Sequence, residues 1–295
     1  GSLPAVVDMA GLFIKDGPIV QVRSTGKPKQ ILKDKDKSIA WDGPLVILVN
    51  EISASASEIM AAAMQDYKRA IIIGSKQTYG KGTVQNVVDL NNVLRSSTAG
   101  DLGALAVTTQ KYYRINGGSV QLEGVKSDVK VPGRFSYIDV GEKDKDNPLP
   151  YDEIDAAQYS PWEYYFDYDA TVENSKKRML ANEQLKLIDE NAKWVKGKID
   201  ETIVSLNYEK YKAENDLNEL ESKRFDAISK YKTNLTFESL AYEKNLFESD
   251  TTDLREKRER WHQSLSKDVY IEEALNVLED LKMSYTIKKV ATVKD

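Results

Sequence analysis

The sequence predicts an α/β unit, a mixed sheet with helices, followed by a mainly α-helical region. Three observations lead there. Short apolar runs bounded by small polar residues recur through the first half of the chain, as buried strands require. An alanine-rich run, Ile59-Met60-Ala61-Ala62-Ala63-Met64, follows one of them directly. From Thr171 onward apolar residues recur at helical spacing among Lys, Glu and Asn.

In chain order, strands are expected at 19–23, 45–49, 70–73, 83–90 and 105–115, with the helix at 59–64 between the second and third. Asn116-Gly117-Gly118 predicts a turn into 119–122, hence a hairpin. Pro132 makes 124–133 a terminal or edge strand. The charged, turn-prone stretch 141–150 marks a boundary, which gives a first domain over 1–140, a linker and aromatic docking segment over 141–170, and a helical domain over 171–295. The cluster Tyr159, Trp162, Tyr164, Tyr165, Phe166 and Tyr168 lacks the cations of a base-stacking surface, so packing is the better reading. Leu180, Leu185, Leu187, Ile188, Trp194, Val195 and Ile199 form an amphipathic helix; 208–232 reads as a solvated helix or helical hairpin; 271–281 places Ala274, Leu275, Leu278 and Leu281 on one face.

The chain has 295 residues, 41% hydrophobic and 30% charged, enough for one substantial core beside a charged helical region. Its net charge of -5 offers no basic field to nucleic acid. No apolar run approaches a membrane span. Zero cysteines exclude disulfides and thiolate metal sites, and one histidine argues against a His-based zinc site. That histidine, His262, lies in the charged helical region far along the chain from the serines considered next, so a Ser-His-Asp triad is disfavoured. Asp152-Glu153 and Glu272-Glu273 are adjacent in sequence and argue for no carboxylate dyad.

Ile52-Ser53-Ala54-Ser55-Ala56-Ser57-Glu58 lies between the strand at 45–49 and the alanine-rich helix. A serine there faces the helix N-terminus, whose free N–H groups can hold a developing oxyanion. Serine is also a favoured N-cap, so capping and catalysis both remain open on this segment alone. Downstream, Gly80-Lys81-Gly82-Thr83-Val84-Gln85 offers a base: glycines keep bulk from the lysine, and on a strand Lys81, Thr83 and Gln85 point the same way. A lysine deprotonates a serine only as the neutral amine, which asks burial to supply about 4 kcal/mol. Gln85 could orient that amine without adding charge. The P-loop alternative fails, because Gly74 lies six residues before Gly80 and Lys81 is followed by Gly82 rather than Ser or Thr.

Ser53 to Ile59, Ala61 to Tyr67, Gly80 to Gln85 and Gln110 to Ser119, matching in order, resemble the tail-specific, or C-terminal processing, serine peptidases of the long Gram-negative type. Segments at 11–23, 147–157 and 203–207 extend the similarity over most of the chain, least between 208 and 268. The resemblance implies that Ser55 is the nucleophile, Lys81 the general base, Gln85 its support, the Ala56 N–H one arm of the oxyanion hole, and Asp66 a structural or neighbouring acid. It implies no metal or cofactor, substrates that are proteins or peptides with apolar C-termini, an envelope adaptor among the partners, and a bacterial periplasm or cell envelope. The family's PDZ-like domain and the strand and glycine-rich segment after it are not in this sequence, so the chain reads as a fragment with reduced or no activity alone, lacking one oxyanion donor and carrying an open sheet edge that invites self-association. The competing reading is a non-catalytic binding or scaffolding protein that keeps the fold.

Overall fold

The computed structural model describes residues 1–93, 100–162, 166–249 and 253–292. The chain divides into two compact units, the first comprising Gly1–Lys130 and Asp139–Phe166, the second Val131–Ile138 and Asp167–Asp295.

The first unit opens on α1 (Leu3–Gly11), with the Ser2 hydroxyl accepting the Ala5 N–H at 3.4 Å and a proline in the first turn, where its missing N–H costs nothing. Sequence patterning did not predict this helix. Strands β1 (Gly17–Ser24) and β2 (Gln30–Asp34) form an antiparallel pair; β2, dominated by Gln, Lys and Asp, also carried no strand signal. Next come β3 (Val46–Val49), α2 (Ala56–Asp66) and β4 (Ile71–Gly74), then β5 (Thr83–Asp89), the short α3 (Leu90–Val93), β6 (Ala104–Tyr113) and β7 (Val129–Lys130).

These strands make two sheets. One is antiparallel, in the order β2-β1-β6-β5; the other is parallel, in the order β3-β4-β7. The α/β expectation therefore holds, with parallel and antiparallel pairing segregated rather than mixed in one sheet. The expected 116–122 hairpin shrinks to a turn, with the Arg114 N–H donated to the Gly118 carbonyl at 2.7 Å and a single bridge between Tyr113 and Ser119.

Ile71, Ile72 and Ile73 of β4 are wholly buried, as a central parallel strand covered on both faces should be. Around Ile72 pack α2 through Ile59, Ala61, Ala62, Ala63 and Met64, and α1 through Val6 and Ala10. The buried Arg69 ties loops to this core, its Nε donating to the Phe13 carbonyl at 2.8 Å and Nη2 to that of Trp41 at 2.7 Å, with its guanidinium 4.7 Å from the Trp162 ring centroid.

The stretch expected as a linker is bonded to this unit. Ile154 N–H reaches the Gly117 carbonyl, Ala157 N–H that of Ile115, and Trp162 N–H that of Tyr67. Tyr159 meets Tyr67 edge-to-face at 5.4 Å, so the described aromatics of the cluster act in packing; Glu163, Tyr164 and Tyr165 lie outside the described residues.

The second unit is helical: α4 (Tyr168–Ala181), α5 (Glu183–Asp200), α6 (Tyr208–Ser222), α7 (Asp226–Ser229), α8 (Ala241–Ser249), α9 (Leu254–Leu265) and α10 (Val269–Thr292). α10 turns differently from the expected face. Ala274, Val277 and Leu281 are buried with Glu273, whereas Leu275 is exposed. The reason is an ion pair: buried Glu273 accepts from the Ser175 hydroxyl at 2.6 Å and from Arg178 at 2.8 Å, anchoring α10 on α4 by a charge that apolar patterning ignores.

Candidate active site

Ser55 closes the turn between β3 and α2. Its backbone has φ 59° and ψ -115°, a conformation that an L-residue holds only when the surroundings impose it. The turn is fixed from both sides: Asn50 N–H donates to the Ser53 hydroxyl at 3.0 Å, and the Tyr79 N–H donates to the Ser53 carbonyl at 2.9 Å. The first helical N–H groups of Glu58 and Ile59 go to the Ser55 carbonyl oxygen, at 2.9 and 3.0 Å. A backbone oxygen thus receives these N–H groups, while the Ser55 N–H goes to the Glu58 carboxylate in the manner of a capping box, so capping and catalysis both remain open for Ser55.

Lys81 lies at the entry to β5, and its Nζ donates to the Gln85 Oε1 at 3.3 Å. The shared face expected for the two side chains is thus present. Lys81 is half-buried and Gln85 exposed. The flanking glycines are required by close approach: a Cβ on Gly82 would sit 2.8 Å from the Gln121 nitrogen, and Gly80 has φ +87° with Leu122 backbone at 3.0 Å from a Cβ position.

Two residues without an expected role bind these segments together. Glu58 is fully buried, and its carboxylate accepts four hydrogen bonds: Oε1 from the Thr78 hydroxyl and the Gly80 N–H, both at 2.6 Å, and Oε2 from the Ser55 N–H at 2.8 Å and the Lys81 N–H at 3.0 Å. One carboxylate thus sets the backbone of both the serine and the lysine. Burial pushes its carboxyl above the ordinary 4.5, against those hydrogen bonds. The Tyr112 hydroxyl, from β6, lies against the carbonyls of both Lys81 and Ser55. Ser55-x-x-Glu58 is the spacing of a capping box, a signal legible in the sequence. Tyr112 offered no such signal, because its two contacts are 31 and 57 residues away along the chain.

Ala56 is the first residue of α2, so its N–H points out of the helix N-terminus beside Ser55, and it takes part in no hydrogen bond recorded among the described residues. Gly1 lies close by, since a Cβ there would be 2.5 Å from that of Ala56. Only glycine fits at that approach.

Asp66 is not brought to the serine and lysine. It ends α2, and a helix rising about 1.5 Å per residue puts it on the order of 16 Å from Ser55. There it pairs with Arg114 at 2.5 Å and accepts the Asn116 amide at 2.9 Å, with Gln65 bridging Arg114 to Asp128. Burial raises its carboxyl above the ordinary 3.8, and the Arg114 hydrogen bond and charge oppose that. Asp66→Ala leaves the Arg114 guanidinium half-enclosed without its partner, and is expected to lower stability by about 3–5 kcal/mol in urea unfolding. An unchanged midpoint would remove the structural role. His262 sits on α9 in the second unit against Trp261, while Ser55 belongs to the first.

Residues 1–131 match the peptidase family S41, and residues 135–283 match the C-terminal domain of tail specific protease. The chain is 41% identical over 220 residues to the tail-specific protease of Haemophilus influenzae, covering 73% of this chain and 31% of that protein. It is 36% identical over 146 residues to the carboxy-terminal-processing protease of Bartonella bacilliformis, covering 48% and 31%. Among solved structures, the photosystem II D1 C-terminal processing protease is 35% identical with TM-score 0.38, covering 44% of this chain and 31% of that one. The chain thus spans about a third of the length of these relatives. With a peptidase S41 region followed by the domain that matches half its length, the chain belongs to the tail-specific protease family.

Proposed function

We propose that this chain carries the catalytic residues of a serine endopeptidase that cuts proteins at or near apolar C-terminal tails. The observation that carries the reading is the tethering of Ser55, held at positive φ on a helix N-terminus, to Lys81 through the shared Glu58 carboxylate. In this mechanism the Ser55 hydroxyl attacks the scissile carbonyl while the Lys81 amine takes its proton. The Ala56 N–H holds the oxyanion, and Lys81 returns the proton to the leaving amine. Water, deprotonated by Lys81, then cleaves the acyl-enzyme and restores Ser55. Gln85 orients the Lys81 amine by the hydrogen bond already formed.

The domain organisation in this reading is a peptidase core over 1–140, a segment over 141–170 that packs with the first compact unit as far as Phe166, and a helical domain over 171–295. We assign the protein to a bacterial periplasm or cell envelope, in keeping with its lack of cysteine; among the described residues no helix is long and apolar enough to cross a membrane. An envelope adaptor is a partner consistent with that location. Reduced activity of this chain alone belongs to the same reading.

The test is proteolysis of an unfolded protein ending in an apolar tail, beside the same protein ending in charged residues. The proposal expects slow cleavage of the first, loss of that cleavage in Ser55→Ala, and weaker cleavage of the second. Equal cleavage by Ser55→Ala would refute it.

A further inference from the structure

We propose that the outer edge of β5 is the docking strand for substrate, an extended polypeptide that adds to the sheet beside Lys81 and presents apolar side chains at alternate positions. The proposal rests on the peptidase reading above and adds to it how the substrate is held.

β5 ends its sheet, and among the described residues its outer edge pairs with no other strand. An edge of this kind offers a row of unpaired N–H and C=O groups, and proteins blunt such edges with lysine, proline or cover. The opposite edge, β2, follows that rule with Lys33 and Asp34 in the strand and Lys29 and Lys35 beside it. β5 does not: its sequence Thr-Val-Gln-Asn-Val-Val-Asp carries no cation and no proline.

The β5–β6 ribbon is also bare on both faces where a solvated ribbon would be polar. Residues 85–89 and 104–109 are exposed, and Val87 and Leu105 are 74% and 53% accessible. Register decides what each face presents. Gln85 pairs with Thr108 and Val87 with Ala106, so the face carrying the Lys81–Gln85 hydrogen bond continues outward through Val87 and Ala106. An added strand of about seven residues would run some 23 Å along this edge at about 3.3 Å per residue. Its main chain would make the hydrogen bonds, which suits an enzyme that must accept many sequences, and alternate side chains would meet Gln85 and Val87 of β5. Such a strand would also run beside Gln85 and Lys81.

The experiment uses the whole chain with Ser55→Ala, a fluorescent peptide of about seven residues with valine at alternate positions, and hydrogen exchange read at peptide resolution. Expected are saturable binding, exchange at 83–89 slowed at least about tenfold, and a period-two response to backbone N-methylation, with about tenfold loss at alternate positions only. Absence of binding, or protection confined to 30–34 or 46–49, overturns the proposal. Protection at 83–89 that grows with protein concentration and needs no peptide also overturns it, by showing that a second copy fills the edge. Fluorophosphonate labelling of Ser55 in the unsubstituted chain separates the two readings. Labelling without peptide protection at 83–89 removes the docking strand alone, and failure of both removes the peptidase reading with it.

Discussion

Replacing Lys81 by alanine lowers the rate of Ser55 acylation by about 10²–10⁴-fold, the range contributed by a positioned general base. Lys81→Arg gives nearly the same loss. It keeps the positive charge and most of the length, but a guanidinium does not release a proton near neutral pH and so cannot accept one from serine. The pair of variants separates two roles. If the lysine served only as a cation beside the oxyanion, the arginine variant would retain most of the rate; if it is the base, neither variant does. Pre-steady-state acylation with an activated ester reads this directly. Gln85→Ala falls between, because the Gln85 Oε1 holds the amine at 3.3 Å without taking part in proton transfer.

Glu58→Gln is the second large effect, and it reaches stability as well as rate. The wild-type carboxylate meets four donors, from Ser55, Thr78, Gly80 and Lys81. A carboxamide has one oxygen for them and turns an NH₂ group toward the rest. Leaving buried donors unsatisfied costs about 1–3 kcal/mol each, so a loss of at least about 2 kcal/mol is expected, with acylation reduced even at temperatures where the variant remains folded. Preserved stability with preserved acylation would sink the proposed coupling. The pH dependence adds a separate signature. A folded-state value raised above 4.5 means that the folded chain binds this proton more tightly, so the contribution is complete below pH 4.5 and is lost as pH rises through the raised value. In the glutamine variant that slope is absent, which urea midpoints across pH 4–8 would show.

The segments that carry the candidate residues were legible because local spacing encodes them. A strand, three alternating serines and an alanine-rich helix place Ser55 at a helix start, and two glycines around Lys81 announce a backbone squeezed between neighbours, as the contacts at Gly80 and Gly82 bear out. What stayed hidden depends on contacts distant in sequence. β2 became a strand only by pairing with β1, against its own polar composition. Tyr112 looks like any aromatic on a strand until β6 carries it to the Ser55 and Lys81 carbonyls. On α10 the apolar pattern pointed to Leu275, but the bonds from Ser175 and Arg178 to Glu273 turn the helix so that Leu275 faces solvent. Glu58 is the instructive middle case: its spacing from Ser55 was readable as a cap, whereas its hold on Thr78, Gly80 and Lys81 was not.

The most direct test of a Ser55–Lys81 pair is fluorophosphonate labelling followed by mass-spectrometric mapping, in the unsubstituted chain, Lys81→Ala and Glu58→Gln. A phosphonyl group attaches to a serine only where its base and oxyanion donors are assembled. The account predicts one adduct, on Ser55, whose formation slows at least about a hundredfold in Lys81→Ala. An adduct on another serine, or equal labelling of Ser55 without the lysine, would contradict it.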